Sequence, residues 1–349
     1  MIKKCYNLYG DSMKYKNSIF IGILVFIVVV QIIMLAFQKE REVEVYSKNL
    51  MYMDTHIGIQ VFNVDEQKAN EVLDKANTIF SEYHDLSTRF EANNYNNVFY
   101  INNGLSSEEY IIIDKRLYSM IEYGKELYYQ SNGIKNINFG NVIDVWSDYR
   151  KSMDGIPTNV ELEEANTSNI EDIVLKDGNK IKNNDVNIDL GSVAKGYAVE
   201  VVGEMFREEG VKSFLINAGG NVLVGDHHSG DKFTIGLQDP DEQSGIFDIV
   251  KGENIAVVTS GGYQRYYEVD GINYGHIIDP STLYPANENK SVTVITDCSK
   301  KADGLALTLF VMNATDGIEY LKYFENVEAI WVTNTDDVIK TEGFSKYEL

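Results

Sequence analysis

Apolar residues recur at helical spacing in two stretches of the chain, and a third helix is marked by its start and stop. Ala69, Val72, Leu73, Ala76, Ile79, Phe80 and Tyr83 fall on one stripe behind Asp65, a residue suited to an N-cap. Leu117, Met120, Ile121, Gly124, Leu127 and Tyr128 form a second stripe, which Asn132-Gly133 would end. A third helix is predicted from near Ser192 to Arg207, with Gly210 as its stop. Strand-like runs cover residues 110–113, 186–188, 213–216, 233–237, 255–259, 266–269, 273–278, 291–296 and 329–332. Asp270-Gly271, between two of them, is the signature of a two-residue hairpin. Hairpins mixed with separate helices predict an α+β fold, mainly antiparallel sheet with packed helices.

One run breaks this amphipathic pattern. Residues 19–37 carry no charge and a single amide, Gln31. Nineteen helical residues span roughly 28 Å, close to the thickness of a bilayer core. A cleaved signal peptide is the competing reading, but no small-residue cleavage site follows the run. Lys3, Lys4, Lys14 and Lys16 precede it, and Lys39, Arg41 and Lys48 follow and weaken the bias. The expected organisation is a cytoplasmic tail (1–17), a transmembrane anchor (18–37), a charged stalk (38–50) and one catalytic domain (51–349). That domain is expected outside the cytoplasm, on the cell membrane.

Charge narrows the partners. The chain has 31 basic and 53 acidic residues, a formal net charge of −22. So acidic a surface repels phosphate backbones, which argues against nucleic acid. An anionic ligand needs a local exception, such as a helix N-terminus or a metal ion. The two cysteines, Cys5 and Cys298, flank the predicted anchor, so no bridge forms within the main domain.

No P-loop, dinucleotide fingerprint, H-E-x-x-H or G-x-S-x-G is present. Four other clusters stand out. Residues 189–197 (DLGSVAKGY) turn a predicted strand into a helix with Lys195 in its first turn, which suits a phosphate but equally a plain helix start. Gly219-Gly220 follows a strand and reads as a ligand approach or a tight turn. Ser260-Gly261-Gly262-Tyr263 precedes a hairpin that leads into His276-Ile277-Ile278-Asp279-Pro280. There, His276 and Asp279 form either a base with its orienting partner or a histidine beside a simple turn. Asp303, expected at a helix N-terminus, either binds a metal or favours the helix dipole.

Taken in order, Met53-Asp54-Thr55, Ser131-Asn132-Gly133, Trp146, the 189–197 segment, the glycine pair, Ser260–Tyr263, His276–Pro280 and Asp303 resemble the FAD:protein FMN transferases (ApbE-type). The resemblance covers about residues 51–345. It implies FAD as substrate, Mg2+, and an acceptor protein whose Ser or Thr hydroxyl receives FMN while AMP leaves. By position, Met53, Phe90, Ile134, Lys135, Asn136, Asp189, Lys195 and Ile277 would line the flavin or adenine sites. Gly219, Gly220 and Tyr263 complete the expected cofactor-binding set. Ser192 and Ala306 would offer carbonyls to the metal and Asp303 its carboxylate. Lys195 would neutralise the diphosphate, and His276 is the candidate for proton transfer.

The sequence departs from the family pattern at three places. Leu307 stands where the family has a metal-binding threonine, and Thr308 is about 100° further round a helix. Leu283 replaces a usual glycine, and Ile134-Lys135 a small-plus-aromatic pair. Two other functions therefore stay open: a flavin-binding protein or FAD diphosphate hydrolase with little transfer, and a non-enzymatic interaction domain.

Overall fold

A computed structural model describes residues 43–104, 109–242 and 244–349. The expected tail and anchor lie outside the described residues. Among the described residues, no helix is long and apolar enough to cross a membrane.

Eight strands form one sheet in the order β1-β2-β6-β7-β10-β13-β14-β15, with every neighbouring pair antiparallel. They are β1 (Val45–Tyr52), β2 (Thr55–Phe62), β6 (Phe214–Ala218), β7 (Asn221–Val224), β10 (Ile255–Gly261), β13 (Asn289–Thr296), β14 (Glu328–Thr333) and β15 (Val338–Lys340). The last residues of the expected stalk are therefore part of β1. Ser47 and Asn49 alternate with Tyr46, Lys48 and Leu50; Tyr46 and Leu50 pack against the main core, and Lys48 pairs with Asp74.

Helices α1 (Glu66–Ser87), α3 (Lys115–Gln130), α6 (Ala194–Glu208) and α7 (Ser299–Val311) contribute to the main core on one face of this sheet. The predicted stripes are the buried ones. Ala69, Val72, Leu73, Ala76, Phe80 and Tyr83 are buried, and Asp65 caps α1 by accepting from the Lys68 amide at 2.9 Å. The other face is covered by the hairpin β8 (Phe233–Gln238) and β9 (Ile246–Gly252), whose Phe233, Ile235 and Leu237 meet Val222, Val257 and Ile330. A third cluster surrounds Trp146. It joins α4 (Gly140–Ser152) and α5 (Asn159–Ala165) to the hairpin β11 (Tyr266–Val269) and β12 (Ile272–Gly275). Short elements β3 (Ile111–Ile112), β4 (Ile173–Lys176) and β5 (Lys180–Asn183) make a small side sheet, and α2 (Val98–Gly104) and α8 (Ala314–Leu321) complete the chain.

Three expectations need correction. Residues 186–188 are not a strand. They run extended beside Asn102, whose amide donates to the Ile188 carbonyl and whose oxygen accepts from the Ile188 amide, both at 2.9 Å. A side chain thus satisfies backbone groups that a ladder would otherwise take. The run 273–278 is ladder only to Gly275, because Ile277 and Ile278 turn into the core. Asp303 is not at a helix start: α7 begins at Ser299, so Asp303 lies in its second turn.

Candidate active site

Three two-residue turns have both residues at positive φ. Met53-Asp54 joins β1 to β2, Gly219-Gly220 joins β6 to β7, and Asp270-Gly271 joins β11 to β12 as predicted. Gly219 is required: a Cβ there would fall 2.6 Å from the Thr55 methyl. The glycine pair is thus a tight turn, and the Gly220 amide donates to the Asn217 side chain at 3.2 Å. It also lines a cleft of about 630 Å3 with His56, Asn217, Thr259 and Tyr263. Its apolar lining includes Val222, Ile235, Leu237 and Val257 from the β8–β9 face of the sheet, and none of the charged residues described next lines it. Gly261 leaves room for the Tyr263 ring, which a Cβ would meet at 2.3 Å.

Lys195 is the second residue of α6 and is half-buried. It makes no hydrogen bond or ion pair among the described residues, so its ammonium is free for an anion at a helix N-terminus. The next residue, Gly196, lets α7 approach until Asp303 sits directly against it. The Asp303 carboxylate is half-buried and, among the described residues, meets no cationic side chain at ion-pair distance. Its one side-chain donor is the Asn221 amide at 3.3 Å. Asn221 in turn accepts from the buried Ser299 hydroxyl at 2.9 Å.

Lys135 approaches Asp303 from the core. It is 1% exposed, and its Nζ donates to the Asp303 carbonyl at 3.4 Å. Burial, with Lys195 adding to it, lowers its pKa to about 8 against the opposing pull of Asp303. Ile134 packs beside the main core, while Asn136 is used locally, accepting from the Asn138 amide at 3.0 Å.

His276 leaves the foot of the β11–β12 hairpin. Its Nδ1 lies 3.3 Å from the Arg265 carbonyl. A carbonyl only accepts, so Nδ1 carries the proton and Nε2 is left as the acceptor. Burial, then Arg265, Arg150 and Lys195, push the imidazole down to about 4. Asp279 is not its partner, because Asp279 accepts from the Ser281 amide and hydroxyl, both at 2.8 Å, and so shapes a turn. Arg265 ties the hairpin to the Met53-Asp54 turn through an ion pair with Asp54 at 3.0 Å.

Asp189 is held differently from what was expected. One carboxylate oxygen accepts from the Gly191 amide at 2.8 Å and the other from Arg89 at 2.8 Å. Both oxygens are engaged in fixing the turn before α6. Arg89 also pairs with Asp144 and reaches the Gly140 carbonyl at 3.4 Å. Sequence reading missed Arg89, Asp144 and Asn102. The only signal was an arginine beside Phe90 in an acidic chain. Phe90 itself is exposed, with the Arg89 guanidinium 5.5 Å from its ring. The Met53 amide donates to His84 at 3.2 Å, and Ile277 has a core side chain that offers a ligand only its backbone.

Ser192 lies in the turn before α6, half-buried, and Ala306 is fully buried in α7. Leu307 packs half-buried on the main core, one turn from Asp303. Thr308 faces elsewhere as expected: it is buried and its hydroxyl donates to the Gly304 carbonyl at 2.9 Å. Among the described residues, no group of three His, Cys, Asp or Glu side chains is placed to hold a metal. Leu283 has φ 65°, the left-handed region a glycine adopts without cost, and its carbonyl accepts from buried Trp146 at 2.8 Å.

Comparison with known proteins gives a consistent result. The model of the ApbE family matches residues 53–331. The FAD:protein FMN transferase of Klebsiella pneumoniae is 30% identical over 312 residues, covering 84% of this chain and 91% of that protein. The FAD:protein FMN transferase of Vibrio cholerae is 28% identical over 254 residues, covering 71% of this chain and 75% of its own length. The crystal structure of the apbe protein of Thermotoga maritima superposes with a TM-score of 0.79 at 25% identity, covering 88% of this chain and all of that one.

Proposed function

The chain belongs to the ApbE family, and from that premise we propose that it is an FAD:protein FMN transferase. It moves FMN from FAD to a Ser or Thr hydroxyl of an acceptor protein and releases AMP. One observation carries the reading. In a chain of net charge −22, Lys195 stands at a helix N-terminus beside Gly196, against which Asp303 packs, buried Lys135 donates to the Asp303 carbonyl, and the neutral His276 lies within the field of Lys195 and Arg265. That is a local basic site with one acidic ligand, suited to a diphosphate and a hard cation.

In the transfer, a bond forms between the acceptor oxygen and the FMN phosphorus, and the phosphorus–oxygen bond to AMP breaks. Phosphoryl transfer of this kind depends on positioning and charge stabilisation more than on covalent help. Lys195 binds the diphosphate against the first turn of α6. His276, neutral at pH 7 with Nε2 open, takes the proton from the attacking hydroxyl. Arg89 and Asp189 keep the turn rigid beneath Lys195. Arg265, bound to Asp54, fixes the hairpin that carries His276.

Magnesium fits this site through few protein ligands. Among the described residues Asp303 has no competing ion pair and presents its carboxylate, with the Ser192 and Ala306 carbonyls as further candidates, while the Leu307 side chain contributes no oxygen. The ion would supply charge neutralisation for the diphosphate, and retained water would stand where the family has a hydroxyl. That poverty of ligands favours a second reading, FAD hydrolysis to FMN and AMP without transfer. Incubation with FAD, Mg2+ and candidate acceptors separates the two. Transfer gives AMP and a fluorescent acceptor band in a denaturing gel; hydrolysis gives AMP and free FMN; no AMP under any condition sinks both.

The uncharged run at residues 19–37 supports a single-pass anchor with the catalytic part outside the cytoplasm. An anchored protein stays with membranes through a high-salt wash and keeps its first residues. A mature N-terminus beyond residue 37 by mass spectrometry rules the anchor out.

A further inference from the structure

Lys135 is the most costly side chain in the site. An ammonium has three donors, and a buried one needs acceptors or a counter-charge to offset lost hydration. Among the described residues its one hydrogen-bond acceptor is the Asp303 carbonyl, at a long 3.4 Å. No carboxylate forms an ion pair with it, and the negative group acting on it is Asp303. Among the described residues Asp303 likewise forms no ion pair. The lysine is not there by slack. Its own amide donates to the buried Ser131 hydroxyl at 2.8 Å, and the preceding loop closes through the Gly133 amide to the Tyr128 carbonyl at 2.8 Å. A built loop therefore aims a fixed positive charge at Asp303 from behind. In the same helix Leu307 puts an isobutyl group one turn from that carboxylate. The two features act in one direction: a charge added and an oxygen withheld.

We infer that the buried Lys135 ammonium, seated on the Asp303 main-chain carbonyl, weakens the binding of a divalent ion at the Asp303 carboxylate. A positive charge held in a poorly screened interior repels a second cation a few ångströms away, and the repulsion grows with the charge of the ion. The site then works with a loosely held, exchangeable metal. This deepens the proposed transferase reading and relies on it only for Asp303 as the ion-binding side chain.

The test uses the full-length chain and Mn2+ as a paramagnetic probe, with free Mn2+ followed by its spin-resonance signal. Lys135→Met keeps an unbranched apolar stem of similar length without the charge, and Lys135→Gln keeps polarity without the charge. Each neutral variant should bind Mn2+ at least tenfold more tightly than the unaltered chain, and Asp303→Asn in either background should abolish the gain. Thermal melting of each variant establishes that it is folded. If one substitution unfolds the domain, the other decides. Equal or weaker Mn2+ affinity in the folded neutral variants overturns the inference, as does a gain that survives Asp303→Asn. Both outcomes leave the transfer reaction itself intact, since that stands or falls on AMP and acceptor labelling by the unaltered chain.

Discussion

Gly196 and Asp303 meet so closely across the α6–α7 contact that a Cβ built on Gly196 would lie 2.5 Å from the Asp303 Cβ and 3.0 Å from its carboxylate Oδ2. The glycine next to the candidate phosphate lysine is therefore what lets the candidate metal carboxylate reach the same spot. Gly196→Ala forces Asp303 or the helix to move, at a cost of about 1–3 kcal/mol for overpacking, partly offset by the better helix propensity of alanine. AMP release should fall at least tenfold with only a modest drop in melting temperature. Unchanged AMP release would show that Asp303 does not need its present position.

Arg89 is 7% exposed and holds Asp189, itself 16% exposed, at 2.8 Å. Its second partner, Asp144, is 46% exposed and adds little after solvent screening. Arg89→Met leaves the Asp189 carboxylate buried with one donor fewer, and breaking a buried pair from one side costs about 3 kcal/mol. Urea unfolding measures this directly. A loss below about 1 kcal/mol would mark the pair as incidental to the turn.

His276 sets a pH dependence whose sign follows from its environment. Its folded pKa is lowered from 6.5 to about 4, so between those values the unfolded chain binds more protons than the folded one. Its contribution to stability is complete above about 6.5 and is lost as pH falls toward 4. His276→Gln should flatten the melting temperature across that window. The same shift keeps the imidazole able to accept a proton below the usual histidine range. The acid limb of AMP release attributable to His276 should then fall below pH 6. A limb centred at 6.5 would be inconsistent with that burial.

Leu307→Thr restores a hydroxyl one turn from Asp303. The magnesium concentration for half-maximal AMP release should fall, with a small loss of stability because a half-buried isobutyl group leaves the core edge. A variant that melts lower and needs as much magnesium would mean that Leu307 only packs.

The periodicity of the chain alone determined that α1 and α3 exist and which faces they bury, because a 3.6-residue stripe has one way to leave water, while the start near Ser192 and the Gly210 stop marked out α6. Asp270-Gly271 likewise specified its hairpin, since φ beyond zero at two adjacent positions favours those residue types. The order of short motifs pointed to the family, and with it to Lys195, His276 and Asp303. Sequence did not reveal what each carboxylate does. Asp189, Asp279 and Asp303 read alike along the chain, yet one holds an arginine, one shapes a turn and one accepts only from the Asn221 amide among described side chains, with no ion pair. Nor did it reveal that Lys135, an ordinary surface residue by type, lies 1% exposed against Asp303. These outcomes depend on contacts between residues separated by about a hundred positions or more, such as Arg89 with Asp189 and Lys135 with Asp303. Local propensity carries no information about such pairs. Only the packing of α7 against α6 and of the 131–137 loop against α7 brings them together, and so decides which charges are paired and which are left for a ligand.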